Sequence, residues 1–200
     1  VGDVVLAIGN ALRLSHTVTM GIVSATGRND LQSQLYEDFL QTDAAINRGT
    51  SGGALINSSG ELIGINSRNT AHQMGQNIGF AIPIGLALDV MEQIIEYGSV
   101  RRGWLGAEFG DMSPTAIPDG SFMRKGVALV DVQRNGPAWQ AGLRQGDIII
   151  KLDDEPVSDA SHFLLAISRR VPGSQVELEV MRGRETFQTY ATLIQQPPLK

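Results

Sequence analysis

Thr42-Asp43-Ala44-Ala45-Ile46-Asn47-Arg48-Gly49-Thr50-Ser51-Gly52-Gly53-Ala54-Leu55 sets one serine among glycines. A serine hydroxyl is a poor nucleophile until a neighbouring base takes its proton, and its attack on a carbonyl needs donors aimed at the developing oxyanion. Glycines at 49, 52 and 53 suit the second need, because they let the backbone turn sharply enough for the N–H groups of Gly49 and Ser51 to converge on one point. They also leave room for a substrate chain to come close. Taken alone, Gly-x-Ser-Gly-Gly is equally a turn between two strands, so the surrounding sequence has to decide.

Residues 1 to about 84 alternate short apolar runs with turn signals. Residues 4–8 precede Gly9-Asn10, residues 17–26 end at Gly27-Arg28-Asn29-Asp30, and residues 78–82 are closed by Pro83. Residues 54–57 and 62–66 flank Ser58-Ser59-Gly60, the pattern of a β-hairpin. The expectation is an all-β unit, too short to close a barrel alone. Leu86, Val90, Met91, Ile94 and Ile95 then recur at helical spacing, with Gly98 as the stop.

A second unit follows. Residues 126–132, 147–152, 175–181 and 186–193 read as strands, the last two joined by Arg182-Gly183-Arg184. Pro137 opens a short helix, and residues 159–169 form another whose Phe163, Leu164 and Ile167 make an apolar stripe. The division expected is residues 1–97, a linker at 98–103, a second domain at 104–196 and a tail at 197–200.

Composition narrows the function. The 200 residues are 42% hydrophobic and 18% charged, which describes a globular chain. A net charge of -5 argues against nucleic acid as partner, and no apolar run approaches the ~18 residues of a membrane span. With no cysteine there is neither disulfide nor thiolate zinc site. The three histidines lie far apart, and the glycines form no nucleotide-binding fingerprint. No metal and no cofactor are expected.

Residues 42–55, with Leu6-Ala7-Ile8-Gly9-Asn10, Gly21-Ile22-Val23-Ser24 and Gly79-Phe80-Ala81-Ile82-Pro83, closely resemble the active-site segment and adjoining strands of the HtrA family of trypsin-like serine proteases. Trp104-Leu105-Gly106-Ala107 and the run opening Gly136-Pro137-Ala138-Trp139-Gln140-Ala141-Gly142 resemble that family's PDZ domain. The fold implied is mainly β: the second half of a trypsin-like double β-barrel protease domain, followed by an α+β PDZ domain. By the same resemblance Ser51 is the catalytic nucleophile, the amides of Gly49 and Ser51 form the oxyanion hole, and Ile46 walls the pocket for the substrate side chain before the cut. Residues 45–50 correspond to an activation loop and residues 66–77 to a second loop beside the pocket. Residues 25–38 correspond to a regulatory loop, with Arg28 as its contact. Trp104, Leu105, Gly106 and Ala107 correspond to the loop that takes a peptide's carboxylate, beside a groove between residues 107–109 and the helix of Phe163. The chain departs from the family at Thr50, where Asn is usual. A β-branched residue tolerates left-handed dihedrals poorly, which bears on the geometry of the hole.

A serine triad also needs a His and a carboxylate. The family's order is His, Asp, Ser, so both are expected before Ser51. His16 sits just before a strand, His72 follows the serine, and His162 belongs to the second unit. Asp3 suits a turn, and Asp43 suits hydrogen bonding to nearby backbone. The base and its orienter are therefore expected upstream of Val1, with this chain the C-terminal part of a longer protein and inactive by itself.

A single PDZ domain matches the stress-sensing branch of the family. For that branch the resemblance implies a periplasmic homotrimer anchored to the inner membrane by a segment outside this chain. It also implies C-termini of misfolded outer-membrane proteins as PDZ ligands and an anti-sigma factor as protein substrate. The alternatives are a non-catalytic peptide-binding module and a broad-range quality-control protease.

Overall fold

Alternation along residues 4–9 sends Val5 and Ala7 inward and leaves Val4 exposed, as a half-buried strand requires. In the computed structural model, which describes residues 1–10, 16–29, 37–69, 77–111, 115–116, 122–123 and 126–198, this strand is β1, Val4–Gly9. The others of the first unit are β2 (Thr17–Arg28), β3 (Phe39–Thr42), β4 (Ala54–Asn57), β5 (Leu62–Asn69) and β6 (Gly79–Pro83). They form a closed antiparallel barrel in the order β1-β2-β3-β6-β5-β4. The closing pair is β1 with β4, in the register Val5↔Asn57, Leu6↔Ile56 and Ala7↔Leu55.

Closure corrects the expectation that this segment is too short for a barrel. Two causes are visible. The strands run longer than their apolar patterns, and register shifts in β2 and β5 bend them so that each serves two neighbours. The interior is narrow because small residues fill much of it: Ala7, Ala44 and Ala81 pack with Val5, Val23, Ile46 and Leu55. Helix α1 (Ile84–Tyr97) follows, beside β5 and β6, and ends at Gly98, whose N–H bonds the Ile94 carbonyl. None of its side chains is fully buried.

The chain divides into two compact units, Val1–Val100 and Arg101–Lys200. The second begins its pairing at β7 (Gly103–Trp104), whose first residue is the last of the stretch expected as linker. Then come β8 (Ala107–Asp111), a separate pair β9 (Thr115–Ala116) and β10 (Phe122–Met123), β11 (Val127–Val132) and helix α2 (Pro137–Gln140). These lead to β12 (Ile148–Leu152), β13 (Glu155–Pro156), helix α3 (Ala160–Ser168), β14 (Gln175–Arg182), β15 (Glu185–Thr192) and β16 (Ile194–Gln195). The main sheet has the order β15-β14-β12-β11-β8, with β13 on β12, while β16 pairs with β7. Its core holds Leu105, Val127, Leu129, Leu143, Ile149, Phe163 and Leu178. Asp159 caps α3 by accepting the His162 N–H at 2.8 Å.

An ion pair with its carboxylate buried fastens this unit. Asp147, 1% exposed, accepts Arg182 Nε at 2.7 Å on one oxygen, and a terminal Arg182 nitrogen and the Arg144 N–H, both at 2.8 Å, on the other. The hydrogen bond to Asp147 raises the Arg182 guanidinium above its ordinary value, and the same guanidinium lies over the Phe187 ring at 5.0 Å.

Candidate functional site

Ser51 sits at the top of the turn that feeds β4, and each glycine around it has its own reason. Gly49 takes φ 103, a region closed to side-chain-bearing residues. Gly53 has no room for one, since a Cβ there would stand 2.0 Å from the Ile8 carbonyl oxygen. Thr50 is not among the residues with positive φ, so its β-branch meets no left-handed strain.

The amides of this turn fall into two sets. Thr50 N–H donates to the Asn47 carbonyl at 3.0 Å, Gly52 N–H to Asn66 at 2.7 Å, and Gly53 N–H to Thr50 at 2.9 Å. Among the described residues, the N–H groups of Gly49 and Ser51 donate to nothing, and both residues are exposed. Two free donors thus flank a fully used one, the arrangement an oxyanion hole requires.

The Ser51 hydroxyl donates to the Ser67 carbonyl. Ser67 is the extra residue of a β-bulge, lying between the pairs Asn66↔Ala81 and Arg68↔Phe80. Bulges re-aim backbone groups beside functional sites. The neighbouring Asn66 was not singled out in the sequence, yet it ties the site together. It is 1% exposed, and its Nδ2 donates to the Ile8 carbonyl at 3.1 Å and to Ala54 at 3.0 Å. Its backbone bonds both Gly52 and Gly53. Asn66 Oδ1 is buried without a partner among the described residues. One residue, through side chain and backbone together, therefore links β1, β4 and the serine turn. The sequence signal available was a polar residue in the apolar run Leu62-Ile63-Gly64-Ile65-Asn66.

The remaining candidates of the first unit lie as follows. Ile46 is part of the barrel core, with its side chain 3.0 Å from where a Cβ on Gly79 would stand. Arg28, exposed at the end of β2, donates from Nε to Gln41 Oε1 at 2.7 Å. Asp43 Oδ1 accepts the Ile22 N–H at 2.7 Å, the backbone role expected of it. His16 is exposed, His162 lies on α3, and His72 falls outside the described residues, as do residues 30–36 and 70–76 of the two expected loops. Among the described residues no histidine is hydrogen-bonded to Ser51, and no group of His, Cys, Asp and Glu is placed to hold a metal.

In the second unit, Trp104 lies in β7 and Ala107 opens β8. Between them Leu105 and Gly106 are held from the far side: Ala138 N–H bonds the Leu105 carbonyl and Gln133 N–H the Gly106 carbonyl, both at 2.8 Å. The N–H groups of Leu105 and Gly106 meet no acceptor among the described residues. The Leu105 side chain is core, so the loop offers backbone, not side chain. β8 ends its sheet, and among the described strands its outer edge is unpaired. α3 stands beside it, joined by the Ala160 N–H to Asp111 Oδ1 at 2.8 Å and by the Phe109 and Phe163 rings, 5.0 Å apart. Phe163 and Ile167 are buried core and Leu164 is half-buried, so most of the expected stripe is core packing.

Comparison with known proteins agrees with both halves. Residues 1–91 match the family model described as trypsin, and residues 103–193 match the PDZ domain. Serine endoprotease DegS of Escherichia coli (strain K12) is 40% identical over 202 residues, covering 98% of this chain and 57% of the relative. Periplasmic serine endoprotease DegP of the same strain is 43% identical over 184 residues, covering 91% of this chain and 39% of the relative. The solved structure of the HtrA-type protease AlgW with decapeptide superposes with a TM-score of 0.83 at 45% identity, covering 99% of this chain and 62% of that one. The chain thus spans 57% of the length of that DegS relative. A trypsin-type barrel with a glycine-framed serine, followed by a PDZ domain, defines the class of PDZ-bearing trypsin-like serine proteases. Within that class, the chain belongs to the HtrA family.

Proposed function

We propose that this chain carries the nucleophile and the peptide-recognition module of a regulated cell-envelope serine endopeptidase. The observation that supports this best is the pattern of amides around Ser51, where Gly49 and Ser51 N–H stay free while Thr50, Gly52 and Gly53 N–H are all used. Ser51 Oγ attacks the peptide carbonyl once a base takes its proton, and the oxyanion forms against the Gly49 and Ser51 amides. The base and its orienting carboxylate are assigned to a part of the full-length protein outside this chain. Ile46 walls the pocket for the substrate side chain, and Arg28 is a contact of the regulatory loop. The domain limits proposed are residues 1–97 for the protease part and 104–196 for the PDZ part.

The PDZ part takes the C-terminus of a peptide as an added strand on β8. Its carboxylate meets the Leu105 and Gly106 amides within the loop Trp104-Leu105-Gly106-Ala107. We assign as ligands the exposed C-termini of misfolded outer-membrane proteins, and as substrate an anti-sigma factor. The protein works as a periplasmic homotrimer anchored at the inner membrane. DegP relatives are named periplasmic serine endoproteases, which supports the compartment.

The test compares the full-length protein with Ser51→Ala on an unfolded protein substrate, with and without a peptide ending in a hydrophobic residue. The reading expects cleavage that the peptide raises and Ser51→Ala abolishes. Equal cleavage by both proteins removes Ser51 from the mechanism, and peptide-independent cleavage removes the sensor role. A second reading, a peptide-binding module without catalysis, draws on the Ser51 hydroxyl being donated to the Ser67 carbonyl and not to a base. That reading expects peptide binding and no cleavage in the same assay.

A further inference from the structure

We infer that Thr50 is a positioning residue of the reaction: its hydroxyl clamps Asn47 and thereby sets the direction of the Gly49 N–H. The inference rests on the proposed role of Ser51 as nucleophile and adds a residue to it. Thr50 is 2% exposed. Its Oγ1 donates to the Asn47 carbonyl at 2.8 Å and accepts the Asn47 N–H at 3.1 Å, while its own N–H reaches the same carbonyl at 3.0 Å. Three hydrogen bonds between two residues close the turn Asn47-Arg48-Gly49-Thr50. Arg48 and Gly49 are exposed and make no hydrogen bond of their own among the described residues. These bonds close the turn on both sides of the peptide unit that presents the Gly49 N–H.

The side chain suits this task on both of its branches. The hydroxyl faces Asn47, and the methyl faces β1, where a Cβ on Gly9 would come within 3.1 Å of Thr50 Cγ2 and 2.9 Å of Thr50 Cβ. A seated methyl leaves a β-branched residue one rotamer, which holds the hydroxyl on its partner. Gly9 is the residue that allows the approach. Thr50 thus takes, with a side chain different from the family's usual Asn, a place in the machinery that a buried polar residue is well suited to fill.

The test uses three full-length proteins: the unmodified one, Thr50→Val and Thr50→Ser. Valine keeps the shape and removes the hydroxyl, and serine keeps the hydroxyl and gives up the methyl. Measured are kcat and KM on a peptide substrate, and the inhibition constant of a peptide aldehyde, whose adduct with Ser51 carries the oxyanion. An oxyanion donor is worth on the order of 100-fold in kcat, so a misdirected one in Thr50→Val should lower kcat about 10- to 100-fold. KM should stay within about twofold, because ground-state binding does not use the hole. The aldehyde should weaken by a factor similar to the fall in kcat, and Thr50→Ser should recover most of both.

Amide exchange on the present chain gives a readout independent of turnover. The Asn47 N–H should exchange at least about tenfold faster in Thr50→Val than in Thr50→Ser. Unchanged kcat and aldehyde affinity in Thr50→Val, beside a Ser51→Ala protein that is inactive, overturns the clamp and leaves the nucleophile standing. Thr50→Ser as impaired as Thr50→Val overturns it too, since the hydroxyl then carries nothing. Cleavage by the unmodified protein that survives Ser51→Ala overturns both the clamp and the reading it rests on.

Discussion

Exchanging Asn66 for Asp replaces an N–H donor with an oxygen at nearly constant shape, and the structure gives the cost. Asn66 is 1% exposed, and its Nδ2 faces the Ile8 and Ala54 carbonyl oxygens at 3.1 and 3.0 Å. In Asn66→Asp both bonds go, at about 1 kcal/mol each, and a carboxylate oxygen is left against two carbonyl oxygens in a buried site. Adding the desolvation of an unpaired buried charge brings the loss to about 4 kcal/mol at neutral pH. Asn66→Leu loses the same two bonds but also removes the partnerless Oδ1, so about 2 kcal/mol is expected. The two variants should also differ in pH dependence. The new carboxyl has a folded-state pKa above its unfolded value, so the folded state binds more protons, and stability rises as pH falls toward about 4.

The assay is urea unfolding of the whole chain, with far-UV circular dichroism for both units and tryptophan fluorescence for the second. The chain's two tryptophans, Trp104 and Trp139, both lie in the second unit. Barrel loss therefore appears in the first signal and not in the second. With a slope of about 1 kcal/mol per molar urea, the Asn66→Asp barrel should melt about 2 M earlier than Asn66→Leu at pH 7, and the gap should narrow in acid. A barrel equally stable in both variants, or a gap that ignores pH, would mean that the Asn66 amide does not hold β1 to β4 in this way.

Other expectations follow from single contacts. Arg182→Met keeps an apolar stem near Phe187 but strips two guanidinium bonds from buried Asp147. It should cost the second unit about 2 to 3 kcal/mol, less than a fully buried pair because the Arg182 side chain is 38% exposed. Joining it to Asp147→Leu should recover part of that loss in the fluorescence-detected urea midpoint. Gly53→Ala drives a Cβ to 2.0 Å from the Ile8 carbonyl, so the serine turn must shift; it should lower barrel stability by at least about 2 kcal/mol in urea unfolding and suppress Ser51 reactivity in the full-length protein. Burial works to raise the Asp153 carboxyl, but the Glu177 N–H and the Arg170 guanidinium outweigh it and hold it below the usual carboxylate range. A depressed folded-state value gives stability that is present above the unfolded pKa of about 4 and is lost as pH falls through the folded one. Asp153→Asn should therefore flatten the acid limb of the second unit's stability profile below about pH 4.

What the sequence revealed depended on how local the cause was. The hairpin of β4 and β5 was legible because Ser58-Ser59-Gly60 lies between two apolar runs, and α1 because its period is internal to it. β3 was missed: Phe39-Leu40-Gln41-Thr42 is short, and what makes it a strand is its place between β2 and β6. Barrel closure depends on β1 meeting β4, a pairing across some fifty residues that no local pattern encodes. At the site, Ser51 and its glycines were legible because the turn's chemistry is written in consecutive residues. Asn66 was not, since its side-chain partners lie 12 and 58 residues away. Thr50 was read as a strain on the turn, because the use of its hydroxyl depends on a fold that brings Asn47 back to it. Ile46 was expected from the family resemblance to wall a pocket; what the structure shows of it is a place in the barrel core.

Whether Ser51 is a nucleophile is read directly by covalent labelling of the full-length protein with a fluorophosphonate, which reacts only with an activated serine, followed by mass spectrometry of the labelled peptide. Label is expected on Ser51, more of it when a peptide ending in a hydrophobic residue is present, and none in Ser51→Ala. A folded protein that cleaves its substrate while Ser51 stays unlabelled would contradict that expectation.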